Sequence, residues 1–370
     1  MRNLWFALLF LFGFQALGQQ LYPVSKKRKW GYMDGNGKVV IDFKYDLAQS
    51  FNEGFASVAL GNMPCLIDIK ENRVIDTGMY QFIGPFSDGL TSVMDYKYRR
   101  YYLNSKGVVM LTLPPEIYDA RPFYNGLARV GKKVDIVVHK FGVDVSNLGY
   151  KFAYIKKDGS YLTEFIFDDG EDFYESPVRV LIGQNFGMID RNGKLIGEAK
   201  YSTLSNFNDS LAVFSLQGKF GYVNKLGEVV IEPQFTYAKQ FNQGFAAVEA
   251  EGKMGFINKS GVLVIPAIYD DVRPFAEGRA AVLLDNKWAF IDTKGTYIYQ
   301  PTFQEAGYFN EGLCPVKLKG KWGAIDKEGH IAVPFEFDNV GIFEDGLAEV
   351  IFRGINLYVN RRGELLPRVD

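Results

Sequence analysis

Any chemistry in this chain of 370 residues would rest on carboxylates and aromatic rings, because histidine is nearly absent. Only His139 and His330 occur, and they lie in separate copies of a repeated pattern. Neither a His-based metal set nor a Ser-His-Asp arrangement is therefore expected. No glycine-rich phosphate loop precedes a helix-like segment. Carboxylates alone suffice for glycoside hydrolysis, and the nearest acidic cluster is Asp168, Asp169, Glu171 and Asp172. A longer acidic series, Asp34, Asp68, Asn104, Asp190, Asn224, Asn258, Asp292, Asp326 and Asn360, offers one oxygen-bearing side chain per copy. Calcium needs about six to eight oxygens converging on one point. An Asp or Asn opening a tight turn with Gly behind it explains the series without a metal. No catalytic residue, metal ligand or cofactor is assigned.

Most aromatic residues recur at fixed spacing, as core positions do. Tyr96, Tyr98, Tyr101 and Tyr102 do not follow that spacing and alternate with Lys97, Arg99 and Arg100. They are expected to form an exposed aromatic-basic patch. With His139, the residues Tyr96, Tyr98, Arg99, Arg100 and Tyr101 make up the candidate ligand site.

These groups must be positioned by a repeat. Phe51, Phe86, Phe123, Phe173, Phe207, Phe241, Phe275, Phe309 and Phe343 each open a version of F-x-x-G-x-A-x-V, and from Phe173 the interval is 34 residues every time. A constant period of this size marks a repeat array. Short alternating apolar runs between Gly-containing turns read as strands, and glycines this frequent would break the helix pairs of a tetratricopeptide array. Each copy is expected to be a three-stranded meander: L-x-P/A-V, then W-G-Y-I-D, then V-V-I-P. About five large apolar groups per copy are too few to offset the ordering of its backbone, so neighbours must stack. The expected fold is all-β, with about ten copies, as an open superhelical solenoid in preference to a propeller-like closure.

Glycines such as Gly31, Gly221 and Gly323 fall inside strands, where close approach of another group would explain them. Gly54, Gly89, Gly126, Gly244, Gly278, Gly312 and Gly346 call for turns with positive φ, a pattern that Ser176 and Ser210 break. Cys65 and Cys314 replace small residues of the repeat and are expected to be buried free thiols.

Residues 1–18 read as a signal peptide: one positive charge, an apolar run of about 14 residues, then small residues. That run is short for a membrane span, and no cysteine follows for a lipid anchor. Export to the periplasm, outer surface or medium is expected, with residues 19–370 forming the array. Lys+Arg 42 against Asp+Glu 43 leaves no basic field for nucleic acid. The run Lys26-Lys27-Arg28-Lys29 reads as a solvated turn.

The sequence K-W-G-Y-I-D, then G-x-x-V-I-P, then Y-D-x-x-x-x-F-x-x-G-x-A-x-V resembles the WG (KWG) repeat of bacterial secreted and surface proteins. The pattern is clearest at Trp30-Gly31, Phe220-Gly221 and Trp322-Gly323 and extends from about Leu21 to Leu366. The resemblance implies a β-rich binding or assembly module and brings no catalytic residues with it. The chain departs from the pattern between Phe123 and Phe173, where the interval is 50 residues. The extra residues fall within 131–150, where Val134 to Phe141 alternates as a further hairpin would. Insertions in arrays commonly project from a binding face. The expected function is thus non-enzymatic recognition of an envelope protein or surface glycan. A carbohydrate-active enzyme and a structural spacer are the alternatives.

Overall fold

The computed structural model describes residues 21–26, 28–34, 38–140, 143–344 and 346–366. The proposed signal peptide and Phe141 lie outside the described residues. The chain divides between Thr112 and Leu113 into two compact units. The first carries the sheets from Tyr22 to Thr112, and the second those from Ile117 to Leu366. Among the described residues there are ten small antiparallel sheets, one per repeat, and each is numbered below by its repeat. No helix among these residues is long and apolar enough to cross a membrane.

The ninth repeat shows the plan. Strands Leu313–Leu318 and Lys321–Asp326 pair residue for residue. They are joined by Lys319 and Gly320, both at positive φ (50° and 81°). That backbone twist suits a two-residue hairpin. Ile331–Phe337 adds the third strand. The expected meander is thus present, with one addition. The connecting segment gives a two-residue fourth strand, Glu305–Ala306, against the first strand. Three of the remaining sheets in the second unit, the sixth, eighth and tenth, repeat this four-strand order. The fourth and fifth repeats lose the third strand, which shrinks to isolated bridges such as Phe152 to Phe167 and Phe186 to Tyr201. Their sequences there, YLTEFIF and LIGEAKY, lack the V-V-I-P run.

The strand glycines are crossing points. A Cβ on Gly323 would lie 2.6 Å from the Val333 carbonyl oxygen, where the third strand bulges across the second. The third repeat places Tyr101 at this position, and its third strand pairs there without the bulge, Tyr101 to Thr112 and Tyr102 to Leu111. The glycines after Glu, Asp or Gln do have positive φ, for example Gly278 at 78° and Gly312 at 85°. Ser210 takes the same conformation at φ 72°, so one of the two exceptions keeps the turn.

Hydrophobic clusters span neighbours. Met254, Phe256 and Ile265 of the seventh repeat pack with Ala280, Val282 and Ile291 of the eighth. Phe290 and Phe303 of the eighth pack with Cys314, Val316 and Ile325 of the ninth. Within each unit such clusters join one sheet to the next, as stacking requires. Cys65 and Cys314 are buried and free.

The fourth repeat carries the extra residues. Its first two strands, Leu127–Lys140 and Val143–Lys156, form a single ladder in unbroken register from Leu127–Lys156 to Lys140–Val143. The residues 131–150 therefore lengthen an existing hairpin and do not add a separate one.

Candidate functional site

The recurring polar residues are consumed by structure. Asp326 Oδ1 accepts the backbone N–H groups of Glu328 (3.0 Å) and His330 (2.8 Å). Asn258 does the same for Ser260 and Val262 at 3.0 and 3.1 Å. Because Asn serves as well as Asp, the column is a turn clamp. Asp326, Glu328 and His330 approach one another at an exposed turn. His330 Nδ1 lies 3.0 Å from Asp326 Oδ2, and Asp326 Oδ1 is already occupied by the turn.

Two further columns escaped the sequence reading. The Asp of the Y-D pair accepts from the hairpin turn after the first strand and pairs with the Lys of K-W-G. Asp46 takes Gly61 N–H at 2.7 Å and Lys29 at 2.5 Å. Asp338 takes Gly354 N–H at 3.2 Å and Lys321 at 2.7 Å. These contacts hold the Asp46 and Asp338 carboxyls below the usual carboxylate range, the lysine hydrogen bond contributing most. The spacing of 17 residues between Lys and Asp, repeated at Lys151–Asp168 and Lys253–Asp270, was the available signal.

The second column joins repeats. The residue before the turn glycine accepts the glycine N–H of the following repeat. Gln243 meets Gly278 at 2.7 Å, Glu277 meets Gly312 at 2.8 Å and Glu311 meets Gly346 at 2.8 Å. In the first unit Glu53 accepts Gly89 N–H at 2.9 Å.

Against this background the third repeat stands apart. Where the other hairpins turn in two residues, Asp95 to Arg99 form a longer loop between Leu90–Met94 and Arg100–Asn104. Asp95 organises it, accepting the N–H groups of Lys97 and Arg99 at 2.9 Å each and Arg99 Nε at 2.8 Å. Tyr96 and Tyr98 are 56% and 72% exposed. The Arg99 guanidinium stands 6.0 Å from the Tyr101 ring, and Tyr101 OH reaches Asp95 Oδ2 at 3.2 Å. Arg100 and Tyr101 are half-buried strand residues. Tyr102 leaves the expected patch, because it is fully buried in the aromatic position after the W-G pair, as are Tyr32 and Tyr222. The loop thus gathers Tyr96, Tyr98, Arg99 and Tyr101 in the first compact unit. His139 belongs to the second, opposite Asp144 in the long hairpin.

The acidic cluster of the fifth repeat is mostly neutralised. Asp168 pairs with Lys151 at 2.7 Å, Asp169 with Arg129 at 2.6 Å, and Glu171 with Arg179. Arg129 is buried, donates also to the Gly170 carbonyl at 2.6 Å, and lies 4.5 Å over the Phe152 ring. It occupies the x of G-x-A-x-V, a position held by Val213, Ala247 and Ala281 further on. Asp172 differs from its neighbours. Burial pushes its carboxyl up, against the pull of Arg129 and Arg121, and its Oδ1 is buried without a hydrogen bond. It lines a small cavity of about 90 Å³ with Tyr174, Arg179 and Phe207 among others.

Sheets of this kind, linked turn to turn and sharing cores, define an all-β repeat protein. The chain belongs to the WG containing repeat family, whose profile matches residues 30–63, 102–133, 186–220, 220–253, 254–288, 288–322 and 322–354. No curated protein matches it in sequence. Among solved structures it is similar to a eukaryotic initiation factor at 10% identity, over 84% of this chain and 94% of that one, with a TM-score of 0.46. It is also similar to Hsv2 of Kluyvelomyces marxianus at 9% identity, over 66% and 92%, with a TM-score of 0.35. BamB from Moraxella catarrhalis matches at 8% identity over 93% and 95%, with a TM-score of 0.33. Likenesses this distant carry no ligand or partner across.

Proposed function

We propose that this is an exported, non-enzymatic binding protein that recognises an envelope protein or surface glycan through departures from its repeat. The carrying observation is the Asp95–Arg99 loop. Everywhere else the polar columns serve turns and junctions, whereas Tyr96 and Tyr98 stand exposed on a loop whose backbone Asp95 ties together through the N–H groups of Lys97 and Arg99. Tyrosine on an ordered loop offers large contact area at low entropic cost. Export rests on the apolar N-terminal segment. The test is capture from envelope extract by the full protein and by a Tyr96→Ser/Tyr98→Ser variant. A partner held by the first and lost by the second supports the reading; equal capture by both would remove the loop from it.

One observation favours a second reading. Asp172 has the raised carboxyl that a glycosidase general acid requires. Hydrolysis of a panel of chromogenic glycosides that disappears in Asp172→Asn would establish an enzyme, and activity unchanged in that variant would rule Asp172 out as its acid.

A further inference from the structure

At three junctions of the second compact unit, a cation on the turn between second and third strands reaches back to the preceding repeat. Its target is the carboxylate before that repeat's turn glycine or serine. Lys225 meets Glu175 at 2.6 Å, Lys327 meets Glu277 at 2.9 Å and Arg361 meets Glu311 at 2.7 Å. The junction between the fourth and fifth repeats has the cation, Arg191, but its carboxylate position is Asn125. Arg191 Nη2 donates to the Asn125 main-chain carbonyl at 2.6 Å. The Asn125 amide is turned away, donating to the carbonyls of Phe173 and Tyr174 at 2.8 and 3.0 Å. A second cation, Lys156, stands where other repeats place the turn-opening Asp or Asn.

Lys156 and Arg191 line a single cleft of about 450 Å³ together with Asn125, Asn192, Leu127 and Leu162. The nearby Asp158 carboxylate is committed to Ser160, accepting its N–H at 2.9 Å and its hydroxyl at 2.6 Å. The cleft therefore holds two positive charges at the junction where a turn cation, Arg191, meets an amide in place of the acid; opposite Gln243, the other amide of this column, the turn carries Thr293.

We propose that this cleft binds a carboxylate from an acidic peptide segment, seated as Glu175, Glu277 and Glu311 are at the other junctions. The favoured ligand is a glutamate-bearing peptide because a glutamate side chain is the group this junction geometry accepts elsewhere in the chain. Leu127 and Leu162 offer apolar surface for its methylene stem. Both cations face solvent, so binding should weaken as salt rises. The site uses none of the residues of the Asp95–Arg99 loop, and the two readings stand or fall separately.

Fluorescence anisotropy of labelled hexaglutamate with the full protein at low ionic strength tests it. Saturable binding is expected, weakened at least about tenfold by Lys156→Glu/Arg191→Glu, since like charge then meets the ligand. Asn125→Glu should also abolish binding, because it supplies internally the carboxylate that the ligand would bring. Circular dichroism checks that each variant is folded. If Asn125→Glu misfolds, the charge-reversal pair decides alone. No saturable binding, or affinity within about twofold of the parent in the charge-reversal variant, overturns the proposal. Binding of trigalacturonate without hexaglutamate overturns the peptide assignment.

Discussion

The Glu277 carboxylate accepts the backbone N–H of Gly312 in the next repeat at 2.8 Å while pairing with Lys327 of that repeat at 2.9 Å. One side chain thus joins two sheets through both a turn and a charge. Glu277→Ala should cost about 1–2 kcal/mol, as expected for a partly solvated bond to an ionised acceptor. Glu277→Gln should cost roughly half as much, because Gln243 makes the same contact to Gly278 without a charge. Urea unfolding of both variants checks the order; an alanine variant as stable as the parent would contradict it.

Gly323 has no space for a branched side chain, with the Val333 carbonyl 2.6 Å from the position of a Cβ. Ala289, at the equivalent site in the eighth repeat, is accommodated with the same bulge between Trp288 and Phe290. Gly323→Ala should therefore cost about 1 kcal/mol and Gly323→Val about 2–3 kcal/mol. Similar melting temperatures for the two variants would show that the crossing is looser than described.

Asp172 predicts a pH dependence of definite sign. Its carboxyl is raised above the ordinary 3.8 by burial, so the folded chain holds this proton more tightly than the unfolded chain does. Its ionisation then costs stability, a cost that grows as pH rises from 3.8 through the folded value. Asp172→Asn should stabilise the protein at pH 7 by about 1 kcal/mol, since the charge left with a buried, unbonded oxygen is removed. The gain should vanish below pH 3.8. Asp46 and Asp338 act oppositely, because their lowered carboxyls supply stability that is lost as pH falls through their folded values. Denaturation midpoints of parent and variant across pH 3–7 separate these contributions, and a constant difference would exclude the assignment to Asp172.

Removal of the tenth repeat, by ending the chain at Phe337, exposes Leu313, Val333 and Phe337, which pack with Val340, Phe343 and Val350. Hydrogen exchange should quicken in the ninth repeat while the cluster of Val213, Tyr222, Phe241 and Val248 stays protected. Uniform loss of protection across the second unit would mean that the unit unfolds all-or-none and not as a series of repeats coupled only to their neighbours.

Period, strand type and the turn role of the Asp/Asn column were legible because each recurs, and recurrence separates scaffold from accident. Tyr102 was misplaced for the converse reason: its irregular neighbours hid that it occupies a regular core position. The fourth strand stayed hidden because two residues such as Glu305–Ala306 are too few to show alternation. Junction chemistry was illegible in a different way. Glu277 and Gly312 are 35 positions apart, one more than the period, so the pair becomes visible only when two sheets are placed side by side. The cleft at Arg191 required still more, since it is marked by an amide where an acid is the rule.

The reach of these junctions bears on how such chains change over generations. Each link within the second unit runs from one repeat to the next, as Gln243 to Gly278, Glu277 to Gly312 and Glu311 to Gly346 do. In-frame duplication or loss of one interior copy would leave every surviving donor facing an equivalent acceptor. Gene length can therefore drift in whole repeats at little energetic penalty, while the pairing of Arg191 with the Asn125 carbonyl marks one junction that such shuffling would erase.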